Sequence, residues 1–396
     1  MNAQEWRAVL GLGALYALRM IGMFMILPVF QPFAAGLPGG DRPWLVGLAM
    51  GIYGLTNALL QIPLGIASDR YGRKPVIYLG MAVFALGSVI AGAADSIGWI
   101  LVGRALQGAG AVSSAVAALL ADVTRESVRT TAMAILGAGM GLSFILALVT
   151  GPIVSGWIGV SGIFYLTAVL ALLSLPVVFF GVPTPELPSV RAGGFRAVLT
   201  DGQLLRFDAG IFLLHGTMYA LFLGAPLAIV QTLGLPAERH WQVYLPVLLL
   251  SIVPVFPLIR WAEGRGHAKA VFLAAIAVLS CALGLAALLH RSPGGLLGAL
   301  LLFFVAFNYL EGALPSMISR RAPSAHKGAA LGVYSSAQFL GAFAGGTVGG
   351  VALQHGGIPG VFAAAALLPL IWLGLALRVQ IPQPVAPPLD AGARNG

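Results

Sequence analysis

The residues most able to do chemistry in this chain are charged side chains set in apolar surroundings. Arg19 and Arg104 stand inside long apolar runs, as do Glu311 and His215. A charge at the centre of a bilayer costs about 2.5 to 3.5 kcal/mol on insertion scales, so such residues face protein or water and are functional candidates by default. Glu311 is the best candidate for a proton carrier, because desolvation and a nearby cation pull a carboxyl in opposite directions and a conformational change can alter either. A structural reading stands beside each: an ion pair for Arg19, a packed neutral imidazole for His215, and a reach towards Arg320 or Arg321 for Glu311.

Shorter polar spacings surround these charges. Tyr53, Asn57 and Gln61 recur at i, i+4 and i+8, one face of a helix. Asn308 with Glu311, Tyr334 with Gln338, and His215 with Tyr219 repeat the short helical spacing, and Gln107 follows Arg104 by three. A polar stripe on a membrane helix is expected to face a wet cavity. Met20, Met23, Phe24 and Met25 add an adaptable apolar surface. Catalytic apparatus is not in view: there is no G-x-x-x-x-G-K-[ST] phosphate loop, no strand beside any G-x-G-x-x-G spacing, and no metal spacing among the six His residues. We therefore expect no enzyme activity, no cofactor and no metal.

The elements that position these groups must be membrane helices. Charged residues are 9% and hydrophobic residues 59% of 396, with a mean hydropathy of +0.93, against about 25% charged in a soluble domain. Continuous apolar runs of about 20 residues predict helices rather than strands. They fall near 8–33, 44–67, 75–94, 97–120, 130–156 and 160–182, then 203–232, 241–262, 269–289, 294–318, 328–354 and 358–380. The fold expected is all-α and integral to the membrane, with twelve spans in two pseudo-symmetric six-helix bundles.

Charge position orients the bundle. Seventeen Lys and Arg residues fall in even-numbered loops and termini, against Arg42, Arg239 and Arg291 in odd-numbered loops. This positive-inside asymmetry predicts both termini in the cytoplasm. The net charge of +9 is thereby topogenic, and no nucleic-acid partner is expected. The single Cys281 excludes a disulfide within one chain.

A repeat divides the chain. With Leu136 laid on Leu331, Phe144 meets Phe339, Ala147 meets Ala342 and Gly151 meets Gly346; one residue less of offset brings Asp69 to Glu263 and Gly72 to Gly266. The expected division is a bundle over 1–183, a cytoplasmic linker over 184–202, a bundle over 203–382, and a Pro-rich cytoplasmic tail over 383–396. Parallel repeats of this kind place a substrate site between halves that rock about it.

The loop from Gly65 through Asp69, Arg70, Gly72, Arg73 and Lys74 is a compact set of one acid and three cations at a helix end, with Gly72 permitting a tight turn. It matches in full the G-x-x-x-D-R-x-G-R-K loop of the major facilitator superfamily, and the chain resembles that family along almost its whole length. Arg104, Gln107 and Gly108 look like the family's Arg-x-x-Gln-Gly signature. Gly151, Pro152 and Gly156 are similar to the antiporter signature G-x-x-x-G-P-x-x-G-G of drug:proton antiporters, with Ala147 and Ser155 where glycine is expected. Arg19, the Asp69 loop, Gly103 to Gly108 and Tyr334 to Gly341 together look nearest to the YajR-type branch of proton-coupled drug exporters. The soluble C-terminal domain of that branch's best-known member has no expected counterpart here.

The resemblance implies a proton-coupled secondary transporter of the inner membrane that exports amphipathic or lipophilic compounds by alternating access, driven by the proton gradient. Gly65, Asp69, Arg70, Gly72, Arg73, Lys74 and Asp122 would form the conformational gate. Glu311, Arg104, Arg19 and His215 would serve proton coupling. Tyr53, Asn57, Gln61, Gln107, Tyr219, Asn308, Tyr334 and Gln338 would line the cavity, with Gly151, Pro152 and Gly156 packing helices. An anionic metabolite or lipid head group held by Arg19 and Arg104 is the alternative. The partners expected are a small molecule, protons and membrane lipid, with the chain a monomer.

Overall fold

The computed structural model describes residues 1–184, 195–264, 266–323 and 327–381. Part of the expected linker and the tail over 383–396 lie outside these residues. Helix 1 is Ala3–Ala34, helix 2 Pro43–Tyr71, helix 3 Arg73–Gly92 and helix 4 Ile97–Asp122. The segment Glu126–Gly181 carries helices 5 and 6. Helix 7 is Gly202–Leu233, helix 8 Ala237–Ala262, helix 9 Ala268–Leu289 and helix 10 Pro293–Arg321. The segment Lys327–Ala376 carries helices 11 and 12. Helical backbone throughout is what a bilayer requires, since hydrocarbon offers no partner to a free N–H or C=O.

The two long segments reconcile ten continuous apolar stretches with twelve spans. Each is broken by one glycine in a conformation side chains avoid, Gly159 at φ 69° and ψ 174° and Gly357 at φ 60° and ψ −158°. The breaks fall between the predicted spans of each pair. Gly72 and Gly266, matched by the repeat, share the same trait with φ of 96° and 69°. Corresponding corners of the two bundles therefore turn in the same way.

Glycine also sets how the bundles meet. Helix 2 presents Gly47, Gly51 and Gly54 to helix 11, so that backbone lies on backbone. A Cβ on Gly51 would stand 2.8 Å from the Phe343 carbonyl oxygen, and one on Gly350 would stand 2.7 Å from that of Pro43. Small residues allow such approach where no hydrophobic effect drives helices together. At the same end Gly156 of helix 5 reaches Glu238 of the other half, where a Cβ would lie 3.0 Å from the Glu238 Cβ. His240 faces the Pro28 carbonyl across the same boundary at 3.3 Å. Towards the opposite end, which carries the Asp69 loop, Gly137 and Gly141 of helix 5 and Gly328 and Gly332 of helix 11 have open space where a Cβ would be. The halves are thus joined at one end and parted at the other.

Helix 7 begins at the parted end with an anchored cap. The Asp201 carboxylate accepts from the N–H groups of Gln203 at 2.8 Å and Leu204 at 3.3 Å, and Arg321 at the end of helix 10 donates to it at 3.1 Å. Partial burial raises the Asp201 carboxyl, but these N–H groups and Arg321 outweigh it and hold the acid below its usual range.

Two outcomes follow. Gly51→Leu wedges helices 2 and 11 apart: in a Cys281→Ser background, a cysteine replacing the fully buried Val46 becomes reactive to a water-soluble maleimide, while helical circular dichroism is retained. Since the folded pKa of Asp201 is depressed, the stability it contributes is present above the unfolded value of about 4 and is lost as pH falls through the folded value. A thermal-melting series against pH therefore has a smaller acid-side decline in Asp201→Ala than in the parent.

Candidate functional site

The polar interior has two parts, one in each half. In the first, the break in helix 4 between Ala109 and Ser113 frees backbone groups, and Arg19 of helix 1 fills the gap. Its guanidinium donates to Ser113 Oγ at 3.1 Å, to the Tyr53 hydroxyl at 2.7 Å and to the Gly110 carbonyl at 3.5 Å. It also lies over the Phe84 ring at 5.4 Å. Arg104 donates to Gln107 Oε1 at 3.0 Å and to the Met50 carbonyl at 3.1 Å. Gln107 in turn donates to Ser88 at 2.8 Å. Tyr53 stands between the two cations, its hydroxyl on Arg19 and its ring 5.1 Å from the Arg104 guanidinium.

Both arginines are fully buried, at 0% and 1% exposure. Among the described residues neither forms an ion pair with an acid. Neutral acceptors and aromatic faces carry them instead. Helix 4 can lie this close because Gly103 and Gly108 press on the backbones of helices 3 and 2, where a Cβ on Gly103 would stand 2.6 Å from the Ala91 nitrogen. The Arg-x-x-Gln-Gly spacing thus combines a backbone contact with a buried cation. Asn57 donates to the Tyr53 hydroxyl at 3.3 Å, and Gln61 is buried with Oε1 unpartnered.

The second part joins helices 7, 10 and 11. His215 Nε2 meets Gln338 Nε2 at 2.8 Å, Gln338 approaches Glu311 Oε1 at 3.4 Å, and His215 Nδ1 lies 3.8 Å from Glu311 Oε2. Donor roles at the imidazole follow from its tautomer: with Nε2 accepting from Gln338, the proton sits on Nδ1 and faces the carboxyl. The Glu311 side chain is 27% exposed while its Oε2 is shielded and without a hydrogen-bond partner. Asn308 donates to Ser251 of helix 8 at 2.9 Å and is not part of this cluster. Tyr334 is buried one turn before Gln338 with its hydroxyl unpartnered, and Tyr219 is buried on helix 7.

Aromatic rings bridge the two parts. Phe24 of helix 1 meets Phe144 of helix 5 edge-on at 5.0 Å, Phe144 lies 5.9 Å from Phe307 of helix 10, and Phe307 lies 6.1 Å from His215. Tyr53 meets Phe339 of helix 11 at 5.9 Å. Apolar faces beside a few convergent polar groups are the usual make-up of a small-molecule site. Among the described residues no hydrogen bond joins the Arg19 and Arg104 network to Glu311 or His215, whose partners are Gln338 and each other.

The Asp69 loop is a compact clamp. Arg73 pairs with Asp69, donates to Asp122 at 2.9 Å and to Ser68 at 2.8 Å, tying helices 2, 3 and 4. Lys74 turns away to the carbonyls of Val182 at 2.6 Å and Phe179 at 3.4 Å, at the end of helix 6. Arg70 is exposed and lies over Tyr71. Gly65 packs on Ser114. Gly151 meets the backbone of Met25 where helix 1 breaks, with a Cβ 2.9 Å from the Met25 carbonyl carbon, while Pro152 sits within helix 5 and its carbonyl accepts from Ser155.

Sequence reasoning missed several groups. Arg125 grips Glu5 through Nε at 2.8 Å and a second N–H at 3.1 Å, anchoring the start of helix 1. Asp208 is buried on helix 7 with both oxygens unpartnered; its place two turns before His215 in an apolar run was the available signal.

Ten long apolar stretches, a duplicated helical architecture and a polar centre between the halves define a multi-pass membrane transporter. The family model described as Major Facilitator Superfamily matches residues 12–346, and the chain belongs to that superfamily. It is 41% identical over 403 aligned positions to the inner membrane transport protein YajR of Escherichia coli strain K12, covering 98% of this chain and 88% of that protein. It is 27% identical to the multidrug resistance protein MdtH of Proteus mirabilis, over 66% of each chain. Its fold matches the crystal structure of a bacterial homologue of the human lysosomal transporter Spinster, with a TM-score of 0.75 at 14% identity, covering 95% of this chain and 97% of that one.

Removing Arg19 tests the first network. Arg19→Leu strands the Gly110 carbonyl, Ser113 and Tyr53, and each buried group left without its partner costs about 1 to 3 kcal/mol. A melting temperature lowered by several degrees is expected, with a smaller loss in Tyr53→Phe, which removes only the hydroxyl.

Proposed function

We propose that the chain is a proton-coupled secondary transporter that exports amphipathic or lipophilic compounds across a bacterial inner membrane. The observation that carries this reading is Glu311: a carboxyl in mid-span, held by Gln338 and facing His215, with Oε2 shielded from solvent. Deprotonated, it completes a charge-assisted bond from Gln338; protonated, it is a neutral group suited to apolar surroundings. The two protonation states thus favour different packing around helices 7, 10 and 11, which is what coupling to a gradient requires.

On this reading both termini lie in the cytoplasm, so the joined end at Gly47 to Gly54 lies outside and the state described opens inward. The rigid units are the bundles over 1–183 and 203–382, connected by the linker 184–202, with the tail 383–396 following. The Arg73 clamp stiffens the first bundle on its cytoplasmic face. Substrate sits on the Phe24, Phe144 and Phe307 layer, between Tyr53, Asn57 and Gln61 on one side and His215, Tyr219 and Gln338 on the other. The chain works as a monomer in lipid, without a cofactor. The similarity to YajR supports transport, and the similarity to the multidrug resistance protein MdtH supports drug export.

A second reading, an anionic substrate, draws support from the two buried arginines without acidic partners. Their near-zero exposure weighs against direct contact in this state.

In proteoliposomes with an imposed pH gradient, uptake of lipophilic cations such as ethidium and of amphipathic organic anions separates the readings. Gradient-driven movement of the cation is expected in the parent. Glu311→Gln is expected to lose it by at least tenfold while retaining exchange at equal pH. Intact gradient-driven movement in Glu311→Gln would remove the carboxyl from the mechanism, and a preference for anions would favour the second reading.

A further inference from the structure

Among the described residues 202–381, the shielded side-chain atoms without a hydrogen-bond partner belong to Asp208, His215, Tyr244, Glu311, Tyr334 and Ser336. All but Tyr244 lie on helices 7, 10 and 11. Buried polar groups are nearly always partnered; the first half also has such atoms, at Arg19, Gln31, Asn57, Gln61, Tyr78 and Arg104, but among the described residues the unpartnered carboxyl oxygens all belong to this second set. Asp208 stands out within it. Its side chain is 6% exposed, both oxygens lack donors, and no part of the coupling scheme above uses it.

Its position is informative. At 1.5 Å per residue, Asp208 lies about 9 Å into helix 7 from Gly202 and Tyr334 about 10 Å into helix 11 from Lys327; Glu311 lies about 15 Å from the end of helix 10 at Arg321. Asp208 and His215 are seven residues apart, on one face. Helices 7 and 11 touch through backbone, a Cβ on Gly341 standing 2.7 Å from the Phe212 carbonyl carbon, which brings the face of Asp208 beside that of Tyr334. Tyr334 is within electrostatic range of both Asp208 and Glu311.

Few other charges address Asp208. Helix 12 has no titratable residue between Ile358 and Ala376. On helix 10 the groups towards the mouth are Tyr309, Arg320 and Arg321, the last already committed to Asp201. On helix 11 Tyr334 is the nearest titratable side chain, and helix 7 itself adds Arg206 two residues towards the mouth, then His215 and Tyr219.

Resting on the proton-coupling reading of Glu311, we propose that Asp208 is a second proton-carrying carboxyl, passing protons between the helix 7 mouth and Glu311 by way of the Tyr334 hydroxyl. In the step, the Tyr334 hydroxyl, unbonded in this state, turns to bridge the two carboxyls; the Asp208 carboxylic acid then gives its proton to the Tyr334 oxygen as the hydroxyl proton passes to the Glu311 carboxylate. Asp208 becomes the carboxylate and is reprotonated from the mouth. Charge is conserved, and no other reactant is needed.

The test uses the full chain in lipid nanodiscs and needs no transport substrate. Infrared spectra across a pH series identify the protonated-carboxyl band of Glu311 by its loss in Glu311→Gln. On transfer to deuterium oxide, that band shifts as its proton exchanges. Exchange slowed at least tenfold in Asp208→Asn, and restored in Asp208→Glu, is expected. Should Asp208→Asn fail to fold, Tyr334→Phe removes one hydroxyl and is expected to slow exchange likewise. Parent-rate exchange in the folded variants overturns the relay while leaving Glu311 as carrier. Absence of any Glu311 band at every pH overturns the coupling reading, and the relay with it.

Discussion

Inside a bilayer a polar group has only the protein to turn to, and most of this molecule answers that constraint. The backbone meets it by remaining helical, and where helix 4 breaks, Arg19 supplies the donors that the Gly110 carbonyl and Ser113 need. Removing that guanidinium would not merely delete contacts. It would return an unsatisfied carbonyl to a medium with nothing to offer it.

The two bundles meet the constraint differently. In the first, the cations are held by neutral acceptors and rings, and the clamp of Arg73 on Asp69, Asp122 and Ser68 ties three helices together. In the second, acids and an imidazole share few donors, and Gln338 alone reaches both His215 and Glu311. Both halves carry shielded atoms without a partner, among them Arg19 Nε, Asn57 Oδ1, Gln61 Oε1 and Arg104 Nε in the first and atoms of Asp208, His215, Glu311 and Tyr334 in the second. What distinguishes the halves is the chemistry of those groups, cations and amides of fixed charge on one side and acids with an imidazole on the other.

Much of the fold was legible because membrane helices are long and their periodicity is not needed to find them. The breaks at Gly159 and Gly357 fell between predicted spans, since each lies where two apolar runs abut. The Asp69 loop was readable because its residues act within ten positions of chain. The site was less legible. Tyr53 between two arginines, and Phe144 beside Phe307, depend on helices distant in sequence, which spacing does not report. Asp208 escaped notice because a single acid near a helix start looks like a cap; that role belongs to Asp201, seven residues earlier. The resemblance groups Arg19 with Glu311 for proton coupling, and sequence spacing says nothing of the hydrogen bonds each makes within its own half.

The glycine contact between helices 2 and 11 bears on how the molecule moves. Interlocked side chains must be withdrawn knob by knob, each through its own rotamer barrier. Two backbone surfaces facing each other through Gly47, Gly51, Gly54, Gly346 and Gly350 have nothing to withdraw. They part like polished plates, all at once and with little friction, so the seal at this end can be tight when shut and still open without a sequence of local rearrangements.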